Sequence, residues 1–358
     1  MTTVELDVGK VEEFGAQMAG FINGGAAALM LSIGHQTGLF DVMAGLPPST
    51  SEQIAGAAGL QERYVREWLG AMVTAGVVEY DSGGAVYVLP PEHAALTTRA
   101  AGPNNFAGFA QFIAINAGVE SELIDKFRNG GGVPYSSFTR FHEATAELTG
   151  AVFDANLVSS TLPLVPGIIE DLEAGIDVAD IGTGSGHAIN VMAKAFPKSN
   201  FVGYDFSDEA VERGRAEAAV WGLTNASFEV KDVATLDESR PFDFMTTFDA
   251  IHDQAKPGVV VRGIHDALKA GGYWLCVDVR ASSHVGENVD HPLGTLLYTM
   301  SCMHCMTVSL AYGGEGLGAM WGVQKARELF IDSGFDKIEI HTVDGDPFNN
   351  YYVCQKTA

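Results

Sequence analysis

The chain has 358 residues, 47% of them apolar, and a formal net charge of −24. That length suits roughly two domains of about 150 residues each, and the charge argues against a nucleic-acid partner or an anionic membrane surface, since both attract basic faces. Four cysteines in so long a chain make no disulfide framework, and a reducing cytoplasm is the expected setting. Residues 1–10 carry Glu5 and Asp7 and lack the basic leader and apolar stretch of a signal peptide. The longest apolar candidate, residues 26–33, is bounded by glycine and His35 and falls short of the roughly 20 residues of a membrane span.

In chain order, residues 21–43 read as an apolar helical stretch. Pro47-Pro48-Ser49-Thr50 then breaks the chain and opens a helix over 51–58, with two overlapping capping boxes available, Thr50 with Gln53 and Ser49 with Glu52. Gly59 stops it. A further helix over 61–75 shows Tyr64, Trp68, Met72 and Val73 at helical spacing, and the runs 77–80 and 86–88 around Asp81-Ser82-Gly83-Gly84 predict a hairpin. Three helices and a hairpin make a winged helix over residues 1–100. Winged helices suggest DNA, but this region holds four Lys/Arg against eleven Asp/Glu, and the helix start at 61–67 is net neutral. DNA affinity needs cations on phosphates, so a dimerisation and pocket-covering role is the favoured reading.

Residues 101–165 read as a helical, aromatic linker interrupted by Asn129-Gly130-Gly131-Gly132-Val133-Pro134-Tyr135, which suits either a lid or a loop between packed helices. From 166 to 358 strands and helices alternate: strands at 178–181, 200–204, 228–231, 242–248, 273–277, 337–341 and 351–354, and helices at 187–195, 208–221, 257–270 and 324–333. This alternation predicts an α/β fold with a doubly wound, parallel sheet.

The sharpest motif is Asp180-Ile181-Gly182-Thr183-Gly184-Ser185-Gly186, where the first strand turns into its helix. Glycines there let backbone approach a ligand while helix N–H groups point at it. A dinucleotide loop reads G-x-G-x-x-G; counting from Gly182, His187 stands where the third glycine belongs. Asp205 ends the second strand, placed to accept from two ribose hydroxyls, and Asp232 ends the third, placed to accept from an adenine amine beside the N–H of Val233. Each aspartate has a plainer reading as a helix cap or turn former.

The stretches Val178–Gly186, Phe201-Val-Gly-Tyr-Asp205, Lys231-Asp232-Val233, Phe242–Asp249 and Leu268–Asp278 resemble, in order, the motifs of class I, Rossmann-like S-adenosylmethionine-dependent methyltransferases. The N-terminal region is similar to the winged-helix dimerisation domain of small-molecule O-methyltransferases. His35–Phe40, Phe141-His142-Glu143 and Phe248–Gln254 look closest to a mycobacterial-type small-molecule methyltransferase family that joins the two. The resemblance implies a seven-stranded sheet with an antiparallel last strand and S-adenosylmethionine as cofactor. It also implies a homodimer, and a small-molecule acceptor whose reacting atom (O, N or S) stays open. By carry-over, Asp180, Gly182, Thr183, Gly184 and Gly186 hold the amino-acid end of the cofactor, Asp205 with Phe206 the ribose and Asp232 with Val233 the adenine. Phe248 and Asp249 line the methyl-donor pocket.

Methyl transfer from a sulfonium is mostly a matter of orientation, helped by a base when the acceptor carries a proton. His252 and Asp253 follow the fourth strand and are the first candidates; His304 and His142 are further ones. His252 could equally be a structural ring beneath the cofactor. The insertion 279–322 is long and expected to shape substrate access. Cys302-Met303-His304-Cys305 within it lacks a second ligand pair, so no metal is expected, and soft pocket wall is the better reading. The chain departs from plant-type O-methyltransferases, having Ile251-His252-Asp253-Gln254 where they carry a His followed by an Asp-Glu-Cys-type neighbourhood. The rival readings are a cofactor-sensing DNA-binding regulator, an NAD-linked enzyme and a thiol S-methyltransferase.

Overall fold

The computed structural model describes residues 6–236, 241–344 and 346–357. It divides into two compact units, Met1–Ala117 and Gly118–Ala358, so that the stretch 101–165 is shared between them.

The first unit contains α1 (Val8–Gln36), α2 (Leu39–Ala44), α3 (Ser51–Ala58), α4 (Glu62–Thr74), the hairpin β1 (Glu79–Asp81) and β2 (Val86–Val88), α5 (Pro91–Thr97) and α6 (Phe106–Ala117). Of the two capping boxes, Thr50 with Gln53 forms, while the Ser49 hydroxyl turns to the carbonyl of Pro47. Phe40, Trp68, Leu69 and Met72 build the core, and Trp68 donates its indole N–H to the Met30 carbonyl at 2.8 Å. Gly34 lets α1 lie against the rings of Phe40 and Trp68, where a Cβ would collide. One expectation fails here. The apolar segment does not end at its glycines: α1 is a single 29-residue helix, long and apolar enough by composition to cross a membrane, with mean hydropathy 1.3 in its best window. Glycine lowers helix propensity but does not by itself break a helix.

The second unit opens with α7 (Glu120–Asn129), α8 (Phe141–Asn156) and α9 (Ile168–Ala174). Then come β3 (Asp177–Ile181), α10 (His187–Ala195), β4 (Asn200–Asp205), α11 (Asp208–Trp221), β5 (Ala226–Val230), β6 (Phe242–Phe248), α12 (Pro257–Ala267) and β7 (Leu268–Val279). The insertion folds as α13 (Gly294–Met300), a π-helical turn at Ser301–Cys305 and α14 (Met306–Ala311), and the chain ends with α15 (Gly322–Asp332), β8 (Lys337–His341) and β9 (Asn349–Gln355). The seven strands order as β5-β4-β3-β6-β7-β9-β8, with β9 alone antiparallel to its neighbours. Side chains alternate across the sheet. Met245, Trp274 and Tyr352 pack toward α12 and α15, whereas Phe244, Leu275 and Tyr351 pack on the opposite face with Ile189 and Met192 of α10.

Helix α12 stops at Ala267 rather than at the double glycine, because Leu268 is already extended and pairs with Phe242. Gly271, at φ 82°, then absorbs the irregularity in that register. The glycine run 130–132 is docked at its last residue, while Gly130 and Gly131 stay exposed. Val133 is fully buried and donates its N–H to the Thr307 hydroxyl at 2.9 Å, and Gly132 lies so close to Thr307 and Ala311 of α14 that a side chain has no room.

Candidate active site

Strand ends gather where the strand order reverses between β3 and β6, the place where open α/β sheets bind ligands. Leaving β3, the loop takes positive φ at Gly182 (71°), Gly184 (55°) and Gly186 (75°). Two of these glycines serve packing. A Cβ on Gly182 would strike Ala250, and one on Gly186 would strike Phe228 and Gly214. Gly184 differs: nothing lies within 4 Å of the position a Cβ would take. The open space beside its backbone leaves room for a ligand to approach. His187 follows as the first residue of α10 and reaches away to Glu217 (2.8 Å) and Asp154 (3.1 Å), tying α10 to α11 and α8.

Acidic groups ring this loop. Asp180 is buried and accepts from the Thr246 hydroxyl at 2.7 Å. Burial pushes its carboxyl up to about 7, against the pull of the Thr246 and Thr183 hydroxyls. Asp205 accepts from the N–H groups of Gly184 and Ser207, both at 2.9 Å. Burial raises its pKa and those two N–H donors hold it back. Asp232 caps the 3₁₀ turn Val233–Thr235 by accepting from Ala234 N at 2.9 Å, which is its plainer reading, and Val233 is in the core. A cationic ligand fits such a site, because buried carboxyls that resist ionisation are relieved by a positive charge. Among the group's residues, Asp180, Asp205 and the Gly184 backbone would hold S-adenosylmethionine.

Beyond β6 lies a second cluster. Phe248 packs edge-on against Phe153 at 4.9 Å. Asp249 sits at φ 50°, unusual for a residue with a side chain. It is exposed, and the surrounding protein together with the charge of Asp278 raises its pKa. His252 is buried, and its Nδ1 pairs with Asp278 Oδ1 at 2.7 Å. Asp278 also accepts from the Trp321 indole (3.1 Å) and from Val279 N (2.7 Å), while its Oδ2 is buried without a partner. Burial opposes charge on the imidazole, but Asp278 and the neighbouring Cys305 outweigh it and lift the His252 pKa well above its ordinary value. Asp253, half-buried, is pushed up to about 6 by burial, with His252 opposing. Ligand atoms of Asp249, His252 and Asp278 lie within 4.8 Å of one another, the one group among the described residues with metal-ligating spacing. The Cys302–Cys305 segment is not part of it.

Over this cluster stands an aromatic wall. His304 is 2% exposed and stacks on Phe141, with centroids 3.6 Å apart and planes 7° apart. Tyr135 stacks on His142 at 4.9 Å and meets Phe206 and His304 edge-on. Burial lowers the pKa of His142 against the charge of Asp205, and burial with the charges of His252 and His142 drives His304 down to about 3. The four catalytic candidates therefore occupy one neighbourhood, from 142 to 304 in the chain. The sequence reading missed Asp278, although it ends a strand adjacent to β6 and the strand-end rule that found Asp205 applies to it equally. It also missed Tyr135 and Trp321, which carry no local signal.

The chain matches the Rv2258c-like winged HTH domain over residues 25–99 and a methyltransferase domain over residues 172–316. Solved structures share the whole architecture. Human N-acetylserotonin methyltransferase in complex with S-adenosylmethionine aligns with a TM-score of 0.69 at 16% identity, covering 100% of each chain. An O-methyltransferase family protein from Burkholderia thailandensis aligns with a TM-score of 0.61 at 15% identity, over 99% of each chain. An O-methyltransferase from neocarzinostatin biosynthesis, in complex with S-adenosylmethionine and 2-hydroxy-5-methyl naphthoic acid, aligns with a TM-score of 0.60 at 18% identity, over 92% of this chain and 96% of that one. At these identities the structures speak for the fold. The chain carries a winged helix-turn-helix domain of the Rv2258c-like type followed by a methyltransferase domain of Rossmann-like fold, the kind that takes S-adenosylmethionine.

Proposed function

We propose that this enzyme methylates a hydroxyl group on a small planar molecule, with His252 as general base and Asp278 orienting it. The observation that carries the reading is the buried His252–Asp278 pair, 2.7 Å apart at the ends of adjacent strands beside the glycine loop. When bound, S-adenosylmethionine supplies a methyl group already activated on sulfur. Asp278 holds Nδ1, and the other face of the ring, beside the Cys305 thiol, takes at Nε2 the proton that the hydroxyl gives up as its oxygen bonds to carbon. Asp278 balances the imidazolium charge, the arrangement that fixes tautomer and orientation in other His–carboxylate pairs. Aromatic rings along Tyr135, Phe141 and His304 favour a planar acceptor. The solved relatives named above are O-methyltransferases or act on such molecules by name, which supports the same class. A small thiol acceptor is the second reading, suggested by Cys302 and Cys305, but a thiol needs a base less.

The base must be neutral to act, and Asp278 raises its pKa. Activity should therefore climb with pH through a midpoint above about 6.5, the ordinary imidazole value. Asp278→Asn should move that limb to lower pH and reduce kcat on the order of 10²-fold, and His252→Ala should abolish the limb while cofactor affinity holds. A limb that stays in place in Asp278→Asn defeats the assignment.

The regulator reading loses support in α4, where both arginines are held by their own helix: Arg63 to Glu67 and Arg66 to Glu62. Such pairs leave little free cation for phosphate. We assign α1 instead to a homodimer. Val11, Phe14, Met18 and Phe21 are exposed at spacings of three and four, with Ile22 and Leu29 exposed seven apart beside them, the pattern of a helix face that pairs with a second copy. Phe14→Lys with Phe21→Lys should halve the mass seen by sedimentation; an unchanged mass, or flotation of the wild-type protein with lipid vesicles, speaks against this face as the contact. Four free thiols suit a reducing cytoplasm.

A further inference from the structure

His304 is an anomaly in the wall it belongs to. Its ring is almost wholly enclosed by carbon: Phe141 stacks on one face, and Phe138 and Tyr135 meet it edge-on at 4.7 and 5.1 Å. A phenylalanine would fill that space without a polar cost. Yet Nε2 of His304 is buried with no hydrogen-bond partner, and a buried nitrogen left unpaired subtracts from stability. The backbone is adapted to bring it there. The segment Ser301–Cys305 is a π-helical turn interrupting an otherwise α-helical run from Gly294 to Ala311, and such turns collect at functional sites.

Its contacts place it in the site. Tyr135 meets the His304 ring edge-on, stacks on His142 and touches Phe206, the residue after Asp205, and the next residue, Cys305, neighbours His252. His304 thus belongs to the wall that joins the proposed base to the cofactor-side strand end. The two imidazoles have opposite characters: Asp278 favours charge on His252, while the enclosure of His304 keeps it neutral. Groups whose environments divide them in this way take different roles in one reaction. A neutral ring with an unmet nitrogen is suited to hold a substrate group, not to take up a full proton.

We propose that His304 is the acceptor-recognition residue of this enzyme, its Nε2 reserved for a hydrogen bond to a polar substituent on an uncharged, hydroxylated aromatic acceptor whose ring lies along the Tyr135–Phe141 wall. The inference rests on the methyl-transfer reading of the neighbouring His252. Its cost in stability is the device that makes it specific: an acceptor that lacks the substituent leaves Nε2 unpaired, and such gaps discriminate more strongly than apolar contacts do.

The test uses the full-length protein with 2-naphthol and dihydroxynaphthalenes as probes. His304→Phe keeps the ring and the stack but removes the nitrogen; His304→Gln restores a polar terminal group near the same place. With a probe that is methylated, His304→Phe should raise KM about tenfold with kcat nearly unchanged, as the loss of one buried hydrogen bond predicts. His304→Gln should recover part of that loss. Without acceptor, His304→Phe should melt no lower than the wild type, because an unsatisfied nitrogen has been removed. In nitrogen-labelled wild-type protein with S-adenosylhomocysteine bound, adding 2-naphthol should shift the imidazole resonance of His304. An unchanged KM in His304→Phe, a lower melting temperature, or an unmoved resonance at saturating naphthol overturns the proposal. A His304 shift without any turnover of S-adenosylmethionine sinks the methyl-transfer chemistry and leaves the recognition site standing, so the two failures are distinguishable.

Discussion

The donor side and the acceptor side of this active site are built in different ways. On the donor side, Asp180, the glycine loop and Asp205 come from two neighbouring parallel strands and the turns that follow them, within residues 180–205. On the acceptor side, His252, Asp278, His304 and Tyr135 come from the β6–α12 loop, the end of β7, a π-helical turn and the segment before α8. The donor side is short-range and mostly backbone; the acceptor side is long-range and mostly side chain. One chemistry can therefore be kept while the pocket beside it is rebuilt, because few residues belong to both.

The comparison can be broken most forcefully at Asp205. Its carboxylate organises the loop through Gly184 N and, in the proposed donor site, would accept from the ribose hydroxyls; charged hydrogen bonds contribute about 1.5–3 kcal/mol each. Asp205→Ala should weaken cofactor binding on the order of 10³-fold by calorimetry, with the fold retained by circular dichroism. Unchanged affinity would remove this residue from the donor side.

A smaller effect separates two glycines of the same loop. Gly184→Ala places a methyl group in open space at φ 55°, at a backbone cost of about 1–2 kcal/mol. It should weaken the cofactor about tenfold, because the methyl group stands where the ligand approaches, and lower the melting temperature by only the few degrees that the backbone cost implies. Gly186→Ala meets Phe228 and the Gly214 backbone, and should lower the melting temperature by about 5 °C or more. If both variants behave alike, the loop does not divide into a ligand position and a packing position.

The smallest effect is a fraction of a proton. Burial raises the carboxyl groups of Asp180 to about 7 and of Asp253 to about 6, so near pH 6.5 part of this population is protonated. The fixed charge of a sulfonium favours the ionised forms and lowers those pKa values, so binding must release protons. Calorimetry at pH 6.5 in two buffers of different ionisation heat should show release with S-adenosylmethionine, less with the uncharged thioether product, and none for either at pH 9. Proton uptake would mean that the cation does not lie among these carboxylates.

Legibility followed the same division. The strand–glycine–helix turn, Asp205 and the order of the sheet were readable because period-two and period-3.6 patterns and strand-end positions are local properties of the chain. The helix Ser51–Ala58 was found at both ends, since its cap and its terminating glycine are adjacent signals. The stretch 21–43 was misjudged at both ends: the helix begins at Val8 and stops at Gln36, and the left-handed Gly38 separates it from α2. Asp232 shows the limit of motif reading. In the structure it caps a turn, and the same carboxylate position serves either purpose.

What the sequence determined by itself was the donor side: a parallel sheet, a glycine turn that fails the dinucleotide spacing, and acidic strand ends that suit a cationic nucleoside cofactor. Only the tertiary structure decided which histidine is paired and which is left wanting. Asp278 reaches His252 across 26 positions of chain, and Phe141 meets His304 from a distant helix. The charge state of a buried imidazole depends on what surrounds it in space, and no local pattern in the chain encodes that.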